Sequence, residues 1–301
     1  MYKFKSLETT GILFAMVAYL SFSFLDVMQK TAVIYHSIFQ LLFIKYFFTL
    51  FLSYIESRRK KNYKFYISNN LKLQFFRSVL SLLESGCFVL SFRYLTLADA
   101  HSIASLTPII VVALSAIILR EKVSLKIWIA IFIGFVGVLI IMNPTNEVFS
   151  LFSILPLLAA LFWAISNIVL KFIPENISSV KINFYSINFS YLGSIVILFS
   201  TSEFSGVENS LDWLLLILVG ILGGFASILF SYAYRVISPS TLAPFEYLGI
   251  PSSFILGWIF FYEAPIEQLF PGVIGIVIAG FIIIWRENKL SIKSKDPKKL
   301  L

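Results

Sequence analysis

Two carboxylates stand where the surrounding sequence is apolar: Glu84 in the run 71–94 and Glu246 in the run 239–262. A charged group between apolar neighbours is costly to bury, so each is a candidate for holding a proton or a cation. Arg77, Ser81, Glu84, Phe88 and Ser91 recur at steps of three and four, which sets them on one helical face. Lys45 lies within a further apolar run, 37–55. Either Lys45 and Arg77 face a pathway, or they neutralise Glu84 and Glu246 and fix the helices. Glu246 and Tyr247 follow Pro244, whose ring removes a backbone donor and frees carbonyls that a cavity can use. Trp163, Asp26, Gln29, Asn167 and Asn188 complete the set of pathway or substrate-binding candidates, although amides also bridge helices. Catalytic and metal patterns are missing. There is one cysteine, Cys87, and the two histidines, His36 and His101, have no metal spacing. His101 reads as a capping or interface residue. No H-E-x-x-H, G-x-S-x-G or nucleotide-binding motif occurs.

These residues must be positioned by elements that suit a lipid solvent. The chain has 301 residues, 58% hydrophobic and 13% charged, against about 45–50% and about 25% in average soluble domains. A soluble fold of this size cannot hide so much apolar surface. Membrane helices need ~20 mainly apolar residues. Ten such runs can be read: 10–29, 37–55, 71–94, 98–119, 124–142, 150–172, 179–200, 211–235, 239–262 and 268–286. Their length and continuity disfavour transmembrane strands, which alternate over ~10 residues. Lys3 and Lys5 before the first run resemble a signal-peptide start, but no small-residue cleavage site follows, so that run is expected to stay as the first span.

With the N-terminus in the cytoplasm, 20 of the 24 basic residues fall at cytoplasmic ends, among them Arg58, Lys122, Lys171, Arg235 and Lys289. Only Lys30 and Arg93 fall outside, and Lys45 and Arg77 lie within spans. The outer loops carry Glu147, Glu203, Glu208, Asp212 and Glu267 instead. That asymmetry follows the positive-inside rule and puts both termini in the cytoplasm. The charge of +8 is therefore an orientation signal, and no nucleic-acid partner is expected.

The chain also repeats itself. Arg93 to Ala98 aligns with Arg235 to Ser240, and Glu121 with Glu263, both at an offset of 142 residues. Asp26 to Lys30 aligns with Asn167 to Lys171 at an offset of 141. Each half holds five spans, an odd number, so the second half is expected to be inverted, a common plan of secondary transporters. Glu121 and Glu263 read as structural caps of the connections to spans 5 and 10.

The sequence resembles the drug/metabolite transporter superfamily, in its ten-helix EamA group, over essentially the whole chain. The carriers are Tyr94-Leu95-Thr96-Leu97-Ala98-Asp99-Ala100, Thr107-Pro108, Leu119-Arg120-Glu121 and Ile131-Phe132-Ile133-Gly134-Phe135-Val136-Gly137-Val138. The second half adds Leu242-Ala243-Pro244-Phe245-Glu246-Tyr247 and Tyr262-Glu263. Within the group it is similar to carriers of S-adenosylmethionine, riboflavin and amino acids. Asp26-Val27-Met28 and Ala243–Tyr247 look most like the first of these.

The resemblance implies an all-α integral membrane fold of ten helices in two repeats, 1–146 and 147–286, with a basic cytoplasmic tail, 287–301. It places a central cavity among spans 1–4 and 6–9, with spans 5 and 10 at the rear. The expected function is secondary transport of a small organic metabolite across a bacterial inner membrane by alternating access, proton-coupled or by exchange, with no cofactor or metal. The expected partners are the substrate, the bilayer and at most a second copy, the chain being a monomer or homodimer. A non-transporting scaffold, a lipid flippase and, last, an intramembrane enzyme are the competing readings.

Overall fold

The computed structural model describes residues 2–59, 70–142, 150–174, 177, 179–201, 206–207, 209–263, 270, 272–279 and 282. The basic stretch at Lys60, Lys61 and Lys64, the acids Glu147, Glu203, Glu208 and Glu267, the end of span 10 and the 287–301 tail lie outside these residues.

All described secondary structure is helical. The first half contains α1 (Tyr2–Tyr35), α2 (Ile38–Arg59), α3 (Leu71–Ser91), α4 (Leu97–Ala104), α5 (Thr107–Ile118) and α6 (Leu125–Met142). The second contains α7 (Ile154–Phe172), α8 (Ser179–Thr201), α9 (Ser210–Val236), α10 (Pro239–Leu242), a 3-10 segment (Ala243–Leu248), α11 (Gly249–Phe261) and a helical stretch at 272–279. Seven helical stretches are long and apolar enough to cross a membrane, and 125–140 is a shorter apolar helix. The polarity runs inside out for a soluble protein. Phe51, Ile117, Val196 and Phe199 are exposed, whereas Gln40, Gln74, Ser115 and Asn183 are buried. Lipid accepts such an exterior, and water does not.

Two expected spans are interrupted. Span 4 turns at Ser105 and Leu106, between α4 and α5, and span 9 passes from α10 through a 3-10 stretch into α11. Each break adjoins a proline, Pro108 and Pro244, which cannot donate to the preceding turn. The Ser105 and Thr107 hydroxyls occupy the Ser102 and Ala104 carbonyls there. Span 1 is longer than its apolar core. Its helix continues to Tyr35, so Lys30, expected at an outer end, is buried in a helix instead.

Helix contacts come in exchanged pairs. α1 lies along α9 as α7 lies along α3, and α2 crosses α9 as α8 crosses α3. α1 meets α11 as α7 meets α5, and α4 meets α11 as α10 meets α5. Local devices recur as well. Arg93 donates to the Val33 and His36 carbonyls (3.4 and 3.2 Å), capping the end of α1. Arg235, 142 residues later, donates to the Ile173, Pro174 and Ile177 carbonyls (2.9, 3.0 and 3.0 Å) beyond α7. Both α5 and α11 end in a left-handed residue, Arg120 (φ 53°) and Tyr262 (φ 55°), directly before Glu121 and Glu263. Such a residue closes a helix by turning the chain off its axis. The hairpin helices start on their own caps. The Thr96 hydroxyl accepts from the Asp99 amide at 3.0 Å, and the Asn209 side chain accepts from the Leu211 amide at 3.0 Å.

Glycine allows one close approach that no side chain would. A Cβ on Gly137 of α6 would stand 2.6 Å from the Gly272 carbonyl oxygen, and one on Gly275 would stand 3.2 Å from the Ile133 oxygen. The obstacle is backbone, which cannot swing aside. Gly137→Ala is expected to force these helices apart at a cost of about 1–3 kcal/mol, as overpacking does. That predicts a melting temperature several degrees lower in detergent, roughly 2–4 °C per kcal/mol. A Gly137→Ala protein that melts with the wild type would contradict this contact.

Candidate functional site

A cavity of about 230 Å³ lies between the two halves, lined from α1, α2, α3, α4 and α5 on one side and α7, α8, α9, the 3-10 segment and the start of α11 on the other. This volume is below the ~300–1,000 Å³ usual for ligand pockets, so a nucleoside-sized guest requires the halves to part further. Asp26, Gln29, Lys45, Arg77, Glu84, Trp163, Glu246 and Tyr247 all line it. Asn167 is buried but does not reach it, and Asn188 is half-buried away from it on α8. Asn183, five residues earlier and buried, stands in the wall instead.

Two polar assemblies divide the cavity. The first is centred on Glu246, which the 3-10 segment carries into the interior. Its Oε1 accepts from the Tyr234 hydroxyl at 2.7 Å and from the Tyr19 hydroxyl at 3.3 Å. The Trp163 indole reaches the same carboxyl group. Around them Phe230 stands 4.6 Å from Trp163 and 4.4 Å from Tyr234, centroid to centroid, and Phe22 meets Trp163 edge-on at 5.8 Å. A carboxylate in an aromatic enclosure suits a cationic or planar guest, because ring faces attract positive charge. Tyr247 lies beside it but packs differently. Its ring presses on Gly134, where a Cβ would come within 2.4 Å, and its hydroxyl is buried without a hydrogen-bond partner.

The second assembly is a chain of contacts across four helices. His101 of α4 approaches the Asp26 Oδ2 at 3.4 Å, and the Gln29 amide donates to the Asp26 Oδ1 at 3.3 Å. Lys45 of α2 donates to the Gln29 Oε1 at 3.0 Å and to the Ser85 hydroxyl at 3.2 Å. Ser85 in turn donates to the Glu84 Oε2 at 3.1 Å. Lys45 is therefore joined to Glu84 through Ser85 and not by a direct ion pair. Among the described residues Arg77 pairs with neither carboxylate. Among the described residues neither basic side chain therefore forms a direct ion pair with Glu84 or Glu246.

Glu263 and Glu121 diverge although their sequence positions correspond. Glu263 pairs with Lys30 of α1, and its Oε2 accepts from the Leu97 amide at 2.9 Å. It therefore caps α4 and ties it to α1, in addition to ending α11. The Glu121 Oε2 is buried with no hydrogen-bond partner. Tyr19, Tyr234, Phe230 and Asn183 are not singled out by the sequence, and His101 reads there as a capping or interface residue. A signal existed for Tyr19: Tyr19, Phe22, Asp26 and Gln29 follow each other at steps of three and four, one face of α1. Among the described residues no group of three His, Cys, Asp or Glu side chains is placed to hold a metal ion.

A helical membrane protein with a polar cavity between two exchanged halves describes a class, and comparison with known proteins narrows it. The EamA-like transporter family matches residues 9–143 and again 151–285, and the chain belongs to that family. It is 31% identical over 176 residues to a riboflavin transporter of Vibrio cholerae, covering 58% of each chain. It is 25% identical over 288 residues to an S-adenosylmethionine uptake transporter of Rickettsia bellii, covering 93% of this chain and 94% of that protein. It is 23% identical over 271 residues to a pseudopaline exporter of Pseudomonas aeruginosa, covering 90% and 94%. A protein of known crystal structure superposes with a TM-score of 0.76 over 95% of this chain and 99% of its own, at 14% identity, which shows the shared fold. Together with the membrane-length helices, these relatives make the chain a multi-pass protein of the bacterial inner membrane.

Proposed function

We propose that the chain is a secondary carrier that moves a small organic metabolite across the inner membrane by alternating access between two inverted five-helix halves, with both termini cytoplasmic. The observation that carries this reading is Glu246: a carboxyl group inside the cavity, held by tyrosines from α1 and α9 and walled by aromatic rings. One tyrosine comes from each half, so motion between the halves must change the site. The family's double match, the exchanged helix contacts and the paired arginine caps support the inversion. The chain His101–Asp26–Gln29–Lys45–Ser85–Glu84 supplies groups that can pass or store a proton, which favours proton coupling or exchange.

The substrate class follows from the walls. A planar ring lies along Phe22, Trp163 and Phe230, and a cationic centre meets Glu246. S-adenosylmethionine, with an adenine and a sulfonium, satisfies both, while riboflavin-like compounds satisfy the ring alone and amino acids the charge alone. The test is uptake of radiolabelled S-adenosylmethionine, riboflavin and amino acids into proteoliposomes, with and without a pH gradient and with internal substrate for exchange. Accumulation of S-adenosylmethionine above protein-free vesicles is the expected result. Absence of uptake for every compound in every condition would reject the carrier reading.

A further inference from the structure

We infer that Arg77 forms an anion-binding subsite in the cavity, so that the carried molecule bears a carboxylate or a phosphate in addition to whatever engages Glu246. The inference rests on the carrier reading and goes beyond it. Arg77 is 7% exposed and lines the cavity from α3. Among the described residues it has no hydrogen-bond or ion-pair partner, and its Nε is fully buried without an acceptor. A buried guanidinium stays charged, and an isolated charge away from water is severely unfavourable unless something answers it.

The protein's own carboxylates do not answer it. Glu84, on the same helix, is seven residues further on, about 10 Å along the axis at 1.5 Å per residue, and takes the Ser85 hydroxyl. Asp26 faces His101 and Gln29. Glu246 is held by two tyrosines.

The cavity groups near this end of α3 are neutral, and they bond chiefly to backbone and to one another. Ser190 donates to the Ser78 carbonyl, Ser231 to the Asn183 Oδ1, and Ser81 pairs with Ser166. The guanidinium fork is left with its donors free. Five N–H groups in a plane match two oxygens of a carboxylate or phosphate, which is the recognition that a lysine cannot reproduce. Arg77 therefore presents an unanswered positive charge to the same cavity that holds the Glu246 carboxyl group. That pattern fits a zwitterion lying between them.

The experiment measures binding to the purified full-length chain in detergent with two matched pairs of probes. S-adenosylmethionine and its decarboxylated derivative differ by a carboxylate, and flavin mononucleotide and riboflavin differ by a phosphate. The wild type is expected to favour the anion-bearing member of at least one pair by about tenfold or more, as a charge-assisted hydrogen bond does. Which pair shows the preference decides between carboxylate and phosphate. Arg77→Gln should bring the ratio close to one, and Arg77→Lys should retain part of it. Equal affinity within both pairs, binding of neither anion-bearing probe, or a ratio unchanged by Arg77→Gln would each overturn the proposal.

Thermal unfolding without ligand separates a structural role, which would lower the melting temperature and leave the ratio alone. Transport that survives Glu246→Gln while the anion ratio persists would count against the Glu246 reading and leave this one standing.

Discussion

Replacing Glu246 by glutamine is expected to cut substrate uptake by about ten- to a hundred-fold while the protein folds and melts as the wild type does. The reason lies in how the carboxyl group is divided. Both tyrosine hydroxyls donate to the same oxygen, Oε1. A glutamine carbonyl can take that place and keep both contacts, so the link from α1 to α9 survives. Its amide nitrogen then replaces the other oxygen, turning an acceptor into a donor beside Trp163. A cationic group meeting that position loses a charge-assisted bond worth about 1.5–3 kcal/mol, which sets the size of the effect. Proteoliposome uptake together with gel filtration of the variant checks the result. Uptake within twofold of wild type would show that the carboxylate is not on the pathway. Misfolded glutamine variant, by contrast, would mean that the group is needed for the helix contact itself.

That Glu246 was visible as a candidate in the sequence, while its tyrosines were not, reflects what a linear pattern can express. An acid in an apolar run stands out because its cost in lipid is a property of the residue alone. Tyr19 and Tyr234 are amphipathic, and in a chain with 14 tyrosines none is distinguished until its partner is known. The steps from Tyr19 to Gln29 reveal a shared face, but not that α9 lies opposite it. Asn183 and Asn188 differ by five residues, which on a helix points them to different sides, and composition does not say which side is inward. The breaks in spans 4 and 9 were readable only as prolines. Pro108 could have stood in the first turn of an unbroken helix, and the Ser105 and Leu106 turn depends on where α4 packs against α11 and α7. The repeat was legible because charged residues at an offset of 141 or 142 are rare enough in apolar helices to register. The same alignment pairs Glu121 with Glu263, which correspond in sequence and differ in partners.

That difference gives the second large effect, which concerns stability. Glu263 joins three elements: it pairs with Lys30 of α1, accepts the Leu97 amide at the start of α4, and follows α11. The Leu97 amide is one of the donors that a helix leaves open at its N-terminus, where negative charge is favoured. Lys30 also stands over the Phe261 ring at 5.1 Å. The corresponding position to Leu97 in the other half is Pro239, which has no N–H to offer. There Lys171 donates to the Ile237 carbonyl at 2.7 Å. The clamp thus closes one end of the molecule, and its contact with the Leu97 amide has no counterpart at Pro239.

Removing one partner of a buried pair leaves the other charge unanswered and costs about 3–5 kcal/mol. Glu263→Ala is expected to be the most damaging single change, because it strands both Lys30 and the Leu97 amide. Lys30→Ala should cost less, since the amide still answers the carboxylate. The double variant should be more stable than the sum of the two losses predicts, by about 0.5–3 kcal/mol of coupling. Thermal unfolding of the four proteins in one detergent measures the cycle. Additive losses would mean that the two side chains do not act on each other. A coupled loss accompanied by faster exchange of substrate across the bilayer would identify the clamp as a latch that an alternating-access cycle must release.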